Sequence, residues 1–468
     1  MANTAQANTA QSSSTQDVRD WDNTFNMHPW ESMGTAAPDR LIAAKAEGIY
    51  LYDPDGKRYI DGPGGMWNVQ VGYGNAEIAQ AMADQAMALP FNSPWYFASS
   101  PGSELAKRLV EMSPGDLNWV FFTTGGSSAV DSALRFMQFY NNLLGRPNKK
   151  ITISREKAYH GSTYLAATMS GKERDRTFMD TADDLVRFLP DVSPLLRPEG
   201  MSVAEWCDAK VADLENLIAE VGADNIGAFI AEPILASGGV IVPPDGYHAR
   251  TLEVCRANDI LYISDEVVTG FGRLGHWFAS EAVFDIVPDI ITCAKGITSG
   301  YAPLGAMLVS DRLVDQLKAE DRGDVMFSNG FTNSSHPVSC AAALKNLEIM
   351  ERDGLLEHVR EITPHFQERV RQLERFEVVA ETRGIGLVGA IEGAVAPDDA
   401  SEEDRLRIDY DFGARVDKAC EARGLLVRPT INMCVFSPPL IITREQIDEM
   451  FDILEEAIAE VQADLGAA

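Results

Sequence analysis

No two of the six cysteines form a C-x-x-C pair; Cys207, Cys255, Cys293, Cys340, Cys420 and Cys434 are scattered. That spacing excludes a disulfide framework and reads as reduced core thiols of a cytoplasmic protein. The seven histidines include no H-E-x-x-H, and none clusters at metal-ligand spacing, so no metal is expected. No apolar run approaches the roughly 20 residues that cross a membrane. Positive charge is scarce: 40 Lys and Arg stand against 70 Asp and Glu, a net charge of −30. So acidic a surface excludes nucleic acid as a partner, whose phosphates need basic residues, and favours solubility. Residues 1–16, MANTAQANTAQSSSTQ, lack both the apolar centre of a secretory signal and the arginines of a transit peptide. They read as a disordered tail.

What is present is apolar sequence punctuated by glycine. The chain is 45 % apolar over 468 residues, enough for a large domain and a smaller one. The most informative stretch is 260–300. An apolar run, Ile260 to Ile263, ends on Asp265 and Glu266, and a Gly-rich turn follows at Gly270, Gly272 and Gly275. A second run, Ile290 to Cys293, delivers Lys295 into another Gly-rich turn. Short apolar runs bounded by glycines read as buried strands of a parallel sheet, which carries its chemistry at the strands' carboxyl ends. Asp265 and Lys295 should therefore meet there, either as a structural ion pair or as a functional one. Pyridoxal phosphate (PLP) needs such a couple: a lysine to form a Schiff base with its aldehyde, and an acid at its ring nitrogen.

The strings SDEVVTGFGRLG (264–275) and AKGITSGYAPLGA (294–306) closely resemble the class III (omega) aminotransferases, PLP enzymes of fold type I. The resemblance runs from about residue 30 to 460. It implies that Lys295 carries the cofactor, that Asp265 binds the ring nitrogen and that Val267 touches the cofactor. The fold it implies is α/β, a large domain with a mostly parallel central sheet plus a smaller α+β domain. The strand–helix alternation supports an α/β class independently. The expected division is 17–69 as an N-terminal segment joining the small domain, 70–330 as the PLP-binding domain, and 331–468 as the small domain.

The rest of the chain supplies further candidates. AEGIYLYDPDGKRYIDGPGG (46–65) is a hairpin signal around Asp-Pro-Asp-Gly. Trp67 follows its two last glycines; alone it reads as core, whereas the resemblance places it in the substrate pocket. The aromatic loop PFNSPWYFASSP (90–101) offers Trp95 and Tyr96 as a pocket wall by the same resemblance. NWVFFTTGGSSAVDSALRFMQFY (118–140) is a strand, a small-residue turn and a helix. Gly126 and Ser127 open that helix, whose N-terminus is a natural phosphate seat. Family members usually read T-N-S-G-S-E-A-N-D there; this chain has Gly125 for the first Ser and Ser128 for the Glu.

Tyr159 of the Y-H-G at 159–161 is implied to stack on the PLP ring, with His160 as a structural hydrogen-bonding residue. Residues 171–200 read as a surface excursion. Glu232 of an E-P pair ends another buried strand and is implied to support the cofactor. Residues 303–310 read as a strand, and 377–392 and 425–436 as two more, enclosed by helices over 336–352, 355–374, 402–423 and 443–462. Phe331-Thr332 matches the family's G-F-T stretch: Phe331 for substrate, and Thr332 for the phosphate of a neighbouring subunit's cofactor. That implies a homodimer with shared active sites, or a tetramer built from it. Arg428 matches the carboxylate clamp, since a guanidinium pairs with a carboxylate in fork geometry. The activity implied is an omega-transaminase that moves an amino group from an amine or omega-amino acid to a keto acid, pyruvate by resemblance. A PLP-dependent decarboxylase or aminomutase on the same scaffold is the alternative.

Overall fold

The structure is a computed structural model that describes residues 14–31, 40–321, 323–394 and 401–466, with the backbone alone for 402–410 and 466. Residues 1–13 of the expected tail lie outside the described residues. Its last three do not fit that expectation. Ser14 caps a helix, Thr15–Phe25, in a capping box with Asp17, which satisfies orphan N–H groups at the helix start.

Three strands follow: β1 (Lys45–Glu47), β2 (Tyr50–Tyr52) and β3 (Arg58–Asp61). The Asp-Pro-Asp-Gly turn joins β2 to β3, with Gly56 at φ 86°, a left-handed conformation that suits glycine. The central sheet comprises β4 (Trp119–Thr123), β5 (Ile151–Arg155), β6 (Val186–Leu189), β7 (Ile226–Ala231), β8 (Leu261–Asp265), β9 (Ile290–Cys293) and β10 (Gly305–Val309). Their spatial order is β4-β10-β9-β8-β7-β5-β6. Neighbours are parallel except at β10, which runs against both β4 and β9. Every residue of β7, β8, β9 and β10 is buried. Helices cover both faces, which is why these strands are continuous apolar runs without alternation.

The strand β6 corrects the surface reading of 171–200. It is a four-residue edge strand whose middle residues, Arg187 and Phe188, are half-exposed. So short an edge has no run of buried residues to advertise it.

The C-terminal region holds β11 (Val379–Ile385), β12 (Val388–Gly393), β13 (Leu425–Leu426), β14 (Arg428–Thr430) and β15 (Met433–Phe436). Four of them form an antiparallel sheet in the order β11-β12-β15-β14, while β13 pairs in parallel with β3. Two expected strands thus divide. The stretch 377–392 is a hairpin turning at Gly386, where φ is 59° and a Cβ would come within 2.6 Å of the Arg273 carbonyl. The stretch 425–436 breaks after β13 and turns again at Ile431, whose φ is 56°. Among the described residues, no helix is long and apolar enough to cross a membrane.

Candidate active site

The parallel strands point their carboxyl ends to one side, and a cavity of about 380 Å³ lies there. Asp265 is the last residue of β8, Glu232 the first after β7, and Lys295 lies two residues past β9. Tyr159 follows β5; Gly126 and Ser127 open the helix Gly126–Leu143 after β4. All of these line the cavity, together with Val267 and Trp67. Thr332, Phe331 and Tyr96 do not. Tyr96 is 82 % exposed, with Trp95 beside it also exposed. Thr332 is exposed and Phe331 half-buried. None of these four lines the chain's own cavity.

Strand alternation separates the two acids of S-D-E. Glu266 is engaged on the far side, accepting from the N–H groups of Ala279 and Ser280, both at 2.8 Å, and from the Ser280 and Thr269 hydroxyls. Asp265 faces the cavity at 4 % exposure. Its Oδ2 lies 2.7 Å from His160 Nδ1, and its Oδ1 accepts from the Thr292 hydroxyl and the Val267 N–H, each at 3.2 Å. These contacts fix the carboxylate's direction. The Lys295 amine makes no hydrogen bond or ion pair among the described residues, so the structural ion pair with Asp265 is not realised. Burial pushes its ammonium down to about 8, with help from Arg428 and against Asp265 and Glu232.

Glu232 is held by the N–H groups of Tyr159 at 3.0 Å and Ala236 at 3.2 Å. Burial raises its pKa, and nearby Asp265 adds to that, while His160 and Arg155 oppose it. The Tyr159 hydroxyl lies 2.9 Å from that of Ser162, and its ring meets Trp30 edge-on at 5.8 Å. At the helix start, a Cβ on Gly126 would sit 3.0 Å from the Val267 side chain, so glycine lets the two elements close. Gly125 has extended backbone, and a Cβ there would meet nothing within 4 Å. Its replacement of a serine follows from no demand of the chain. The helix still offers unpaired N–H groups in its first turn.

Trp67 joins the parts of the site. It is 3 % exposed, at φ 59°, and its indole N–H has no partner among the described residues. Lys295 Nζ lies 5.7 Å from its ring centroid and Arg428 Cζ 4.6 Å. Arg428, the first residue of β14, has no carboxylate within ion-pair distance among the described residues. Its other contact is Met66 Sδ, and burial lowers its pKa.

The chain matches the aminotransferase class-III family over residues 34–458. It belongs to that family. A probable gamma-aminobutyrate transaminase of Oryza sativa is 38 % identical over 445 residues, covering 91 % of this chain and 85 % of the relative. A thermostable (S)-enantioselective omega-transaminase of Thermomicrobium roseum superposes with a TM-score of 0.90 at 34 % identity, covering 96 % of this chain and 99 % of that one. A transaminase of the marine bacterium Virgibacillus gives a TM-score of 0.87, also at 34 %, covering 96 % and 99 %. Class III aminotransferases depend on PLP, and the cavity fits it. It provides an unpaired amine, a fixed buried carboxylate, an aromatic wall and a helix N-terminus with a glycine at its first position.

Sequence reasoning missed Thr292, which meets Asp265 only through the parallel register of β8 and β9. It also missed Lys172 and Ser237, which adjoin the cavity from the supposed surface stretch and from the Gly-rich loop after Glu232. The lowered Lys295 pKa has a measurable consequence. Attachment of PLP needs the neutral amine, which accumulates as pH rises through the pKa. The rate of cofactor uptake by apoenzyme should therefore climb with pH, pass half its maximum near pH 8 and level off about one unit higher. Stopped-flow absorbance will record it; a rise continuing toward 10 would mean an ordinary, solvated lysine.

Proposed function

We propose that this class III aminotransferase is an omega-transaminase that passes an amino group from an amine or omega-amino acid to pyruvate by a ping-pong mechanism. The observation that carries the reading is the double use of Trp67, with the unpaired amine of Lys295 and the unpaired guanidinium of Arg428 against one indole. Amine chemistry and carboxylate recognition therefore share a cavity. The relatives support the donor class, being gamma-aminobutyrate transaminases and omega-transaminases by name.

Bound PLP supplies an aldehyde that condenses with amines and a protonated ring that withdraws electrons. The N–H groups of Gly126 and Ser127 would hold its phosphate at the helix N-terminus. Tyr159 would cover one face of its ring, and Glu232 fixes the backbone of Tyr159. Asp265, oriented by His160 and Thr292, would keep the proton on the ring nitrogen. Lys295 Nζ removes the proton from the donor's carbon and later returns one to the acceptor's. Arg428 takes the carboxylate of the keto acid and rests on Trp67 when a carboxylate-free amine is bound. Because one cavity serves both half-reactions, the donor's product must leave before the acceptor enters. A second copy of the chain completes the site. Phe91, Trp95, Phe97 and Met326 are exposed near the loop that carries Phe331 and Thr332, and Trp95 lies 3.5 Å from the Cβ position of Gly330. So much exposed apolar surface favours burial against a partner.

The Arg428→Ala variant tests this reading. Losing a hydrogen bond to a charged group costs about 1.5–3 kcal/mol, or roughly ten- to more than a hundred-fold in pyruvate use. Single-turnover amination of the wild type by 1-phenylethylamine alone should proceed, and the variant should keep most of that rate while losing pyruvate. Equal loss of both half-reactions would make Arg428 structural. Undiminished pyruvate use would move the clamp to another residue.

A further inference from the structure

Past Trp67, Tyr159 and Ser237, the cavity opens into a second void of about 480 Å³ that carries Arg428 and, with it, Lys172. Lys172 is half-buried, and its Nζ lies 5.8 Å from the Tyr159 ring centroid. It donates to the Ser237 carbonyl and, at 2.8 Å, to the Ser237 hydroxyl. An ammonium has three donors, so one is left. No carboxylate lies within ion-pair distance of it among the described residues. Two acids line the same void without neutralising it. Asp175 bonds Arg174 Nε at 3.1 Å, and burial pushes the Asp417 carboxyl up to about 6.

A chain with 70 acids and 40 Lys and Arg has carboxylates to spare, yet two cations on one void, besides Lys295, have none. Burying an uncompensated charge is costly, and burial does lower the Lys172 ammonium, to about 8. Asp175 and Glu232 pull it up, and Arg428 and Arg174 push it down. The arrangement is economical only if an anion arrives with the ligand. Arg428 stands on Trp67 beside Lys295, whereas Lys172 stands on Tyr159, anchored by a different loop. The two cations thus mark two separate positions on the wall of one void.

We propose that Lys172, anchored on Ser237, is a second carboxylate seat, which makes omega-amino acids the preferred donors. Their acid end docks on Lys172 while the amine reaches Lys295, and Arg428 is left for the keto acid. The proposal rests on the transaminase reading of the site. Its test compares 4-aminobutyrate with butylamine, and 5-aminopentanoate with pentylamine, at fixed pyruvate. Each pair shares its amine and differs only in the acid end. Lys172→Met keeps the aliphatic stem against Tyr159 and removes the charge. The ratio of kcat/KM between acid and amine should fall roughly ten- to a hundred-fold in the variant, mostly through KM. Taking the ratio within one protein cancels any loss of folded enzyme. An unchanged ratio overturns the seat, and so does a collapse of the ratio in Arg428→Ala instead of Lys172→Met. A wild type inert toward all four donors overturns the transaminase reading and the seat with it.

Discussion

Lys295→Ala should yield a folded protein that still takes up PLP by its phosphate, has lost the visible absorption of the lysine-bound cofactor, and turns over at least about 10⁴-fold more slowly. The expectation of folding comes from the contacts. The Lys295 amine makes no hydrogen bond or ion pair among the described residues, so its removal orphans nothing. Its φ of 44° strains lysine and alanine alike, so the backbone cost hardly changes. Deleting a half-buried, unpaired amine also removes a desolvation penalty. The expected catalytic loss is large because the proposed mechanism gives one group two tasks, covalent attachment and proton transfer. General acid–base catalysis alone typically contributes 10²–10⁴-fold, on the order of magnitude expected here even before attachment is counted. Lys172 is the internal control, since it is a second cavity-facing lysine whose pKa burial also lowers to about 8. Borohydride reduction of the loaded wild type should mark the peptide containing Lys295. A label on Lys172 would overturn the assignment, as would near-normal turnover of the alanine variant.

The central strands could be read from sequence because they are buried on both faces. A run such as Ile260 to Ile263 has no polar partner to alternate with, and a turn of glycines must follow where the chain reaches the cavity. The same property places Asp265 and Lys295 at strand ends. What sequence conceals is register and the meeting of distant segments. Thr292 supports Asp265 only because β9 lies beside β8 in a particular alignment. Arg428 reaches Trp67 across 361 positions, and nothing in either local string announces that contact. The edge strand β6 and the split of 377–392 at Gly386 escaped because a four-residue edge and a two-residue turn hardly alter composition. Lys172 escaped for a different reason: among Lys, Glu, Arg and Asp at 172–176 it looks like a solvated charge, and only folding puts it against Tyr159 and Ser237.

Asp265→Asn isolates charge from shape. Asparagine is nearly isosteric, and its carbonyl oxygen can still accept from the Val267 N–H and the Thr292 hydroxyl, as Asp265 does at 3.2 Å. Its NH₂ group would meet His160 Nδ1, which lies 2.7 Å from the present carboxylate, and can donate to that nitrogen once the imidazole carries its proton on Nε2. The pocket therefore survives, and PLP content should be close to that of wild type. What disappears is the anion that, in the proposed mechanism, holds a proton on the ring nitrogen. A neutral ring withdraws electrons less well, so removal of the donor's proton by Lys295 meets a higher barrier. Loss of a single transition-state-stabilising contact in a buried site typically costs roughly 10²–10³-fold in kcat. Substrate capture does not depend on that proton, so KM should move much less. The deuterium isotope effect with an α-deuterated donor should grow, since proton removal becomes more fully rate-limiting. A variant with near-normal kcat and an unchanged isotope effect would show that Asp265 is not the ring's partner, and the arrangement of His160, Thr292 and Val267 around it would then be structural.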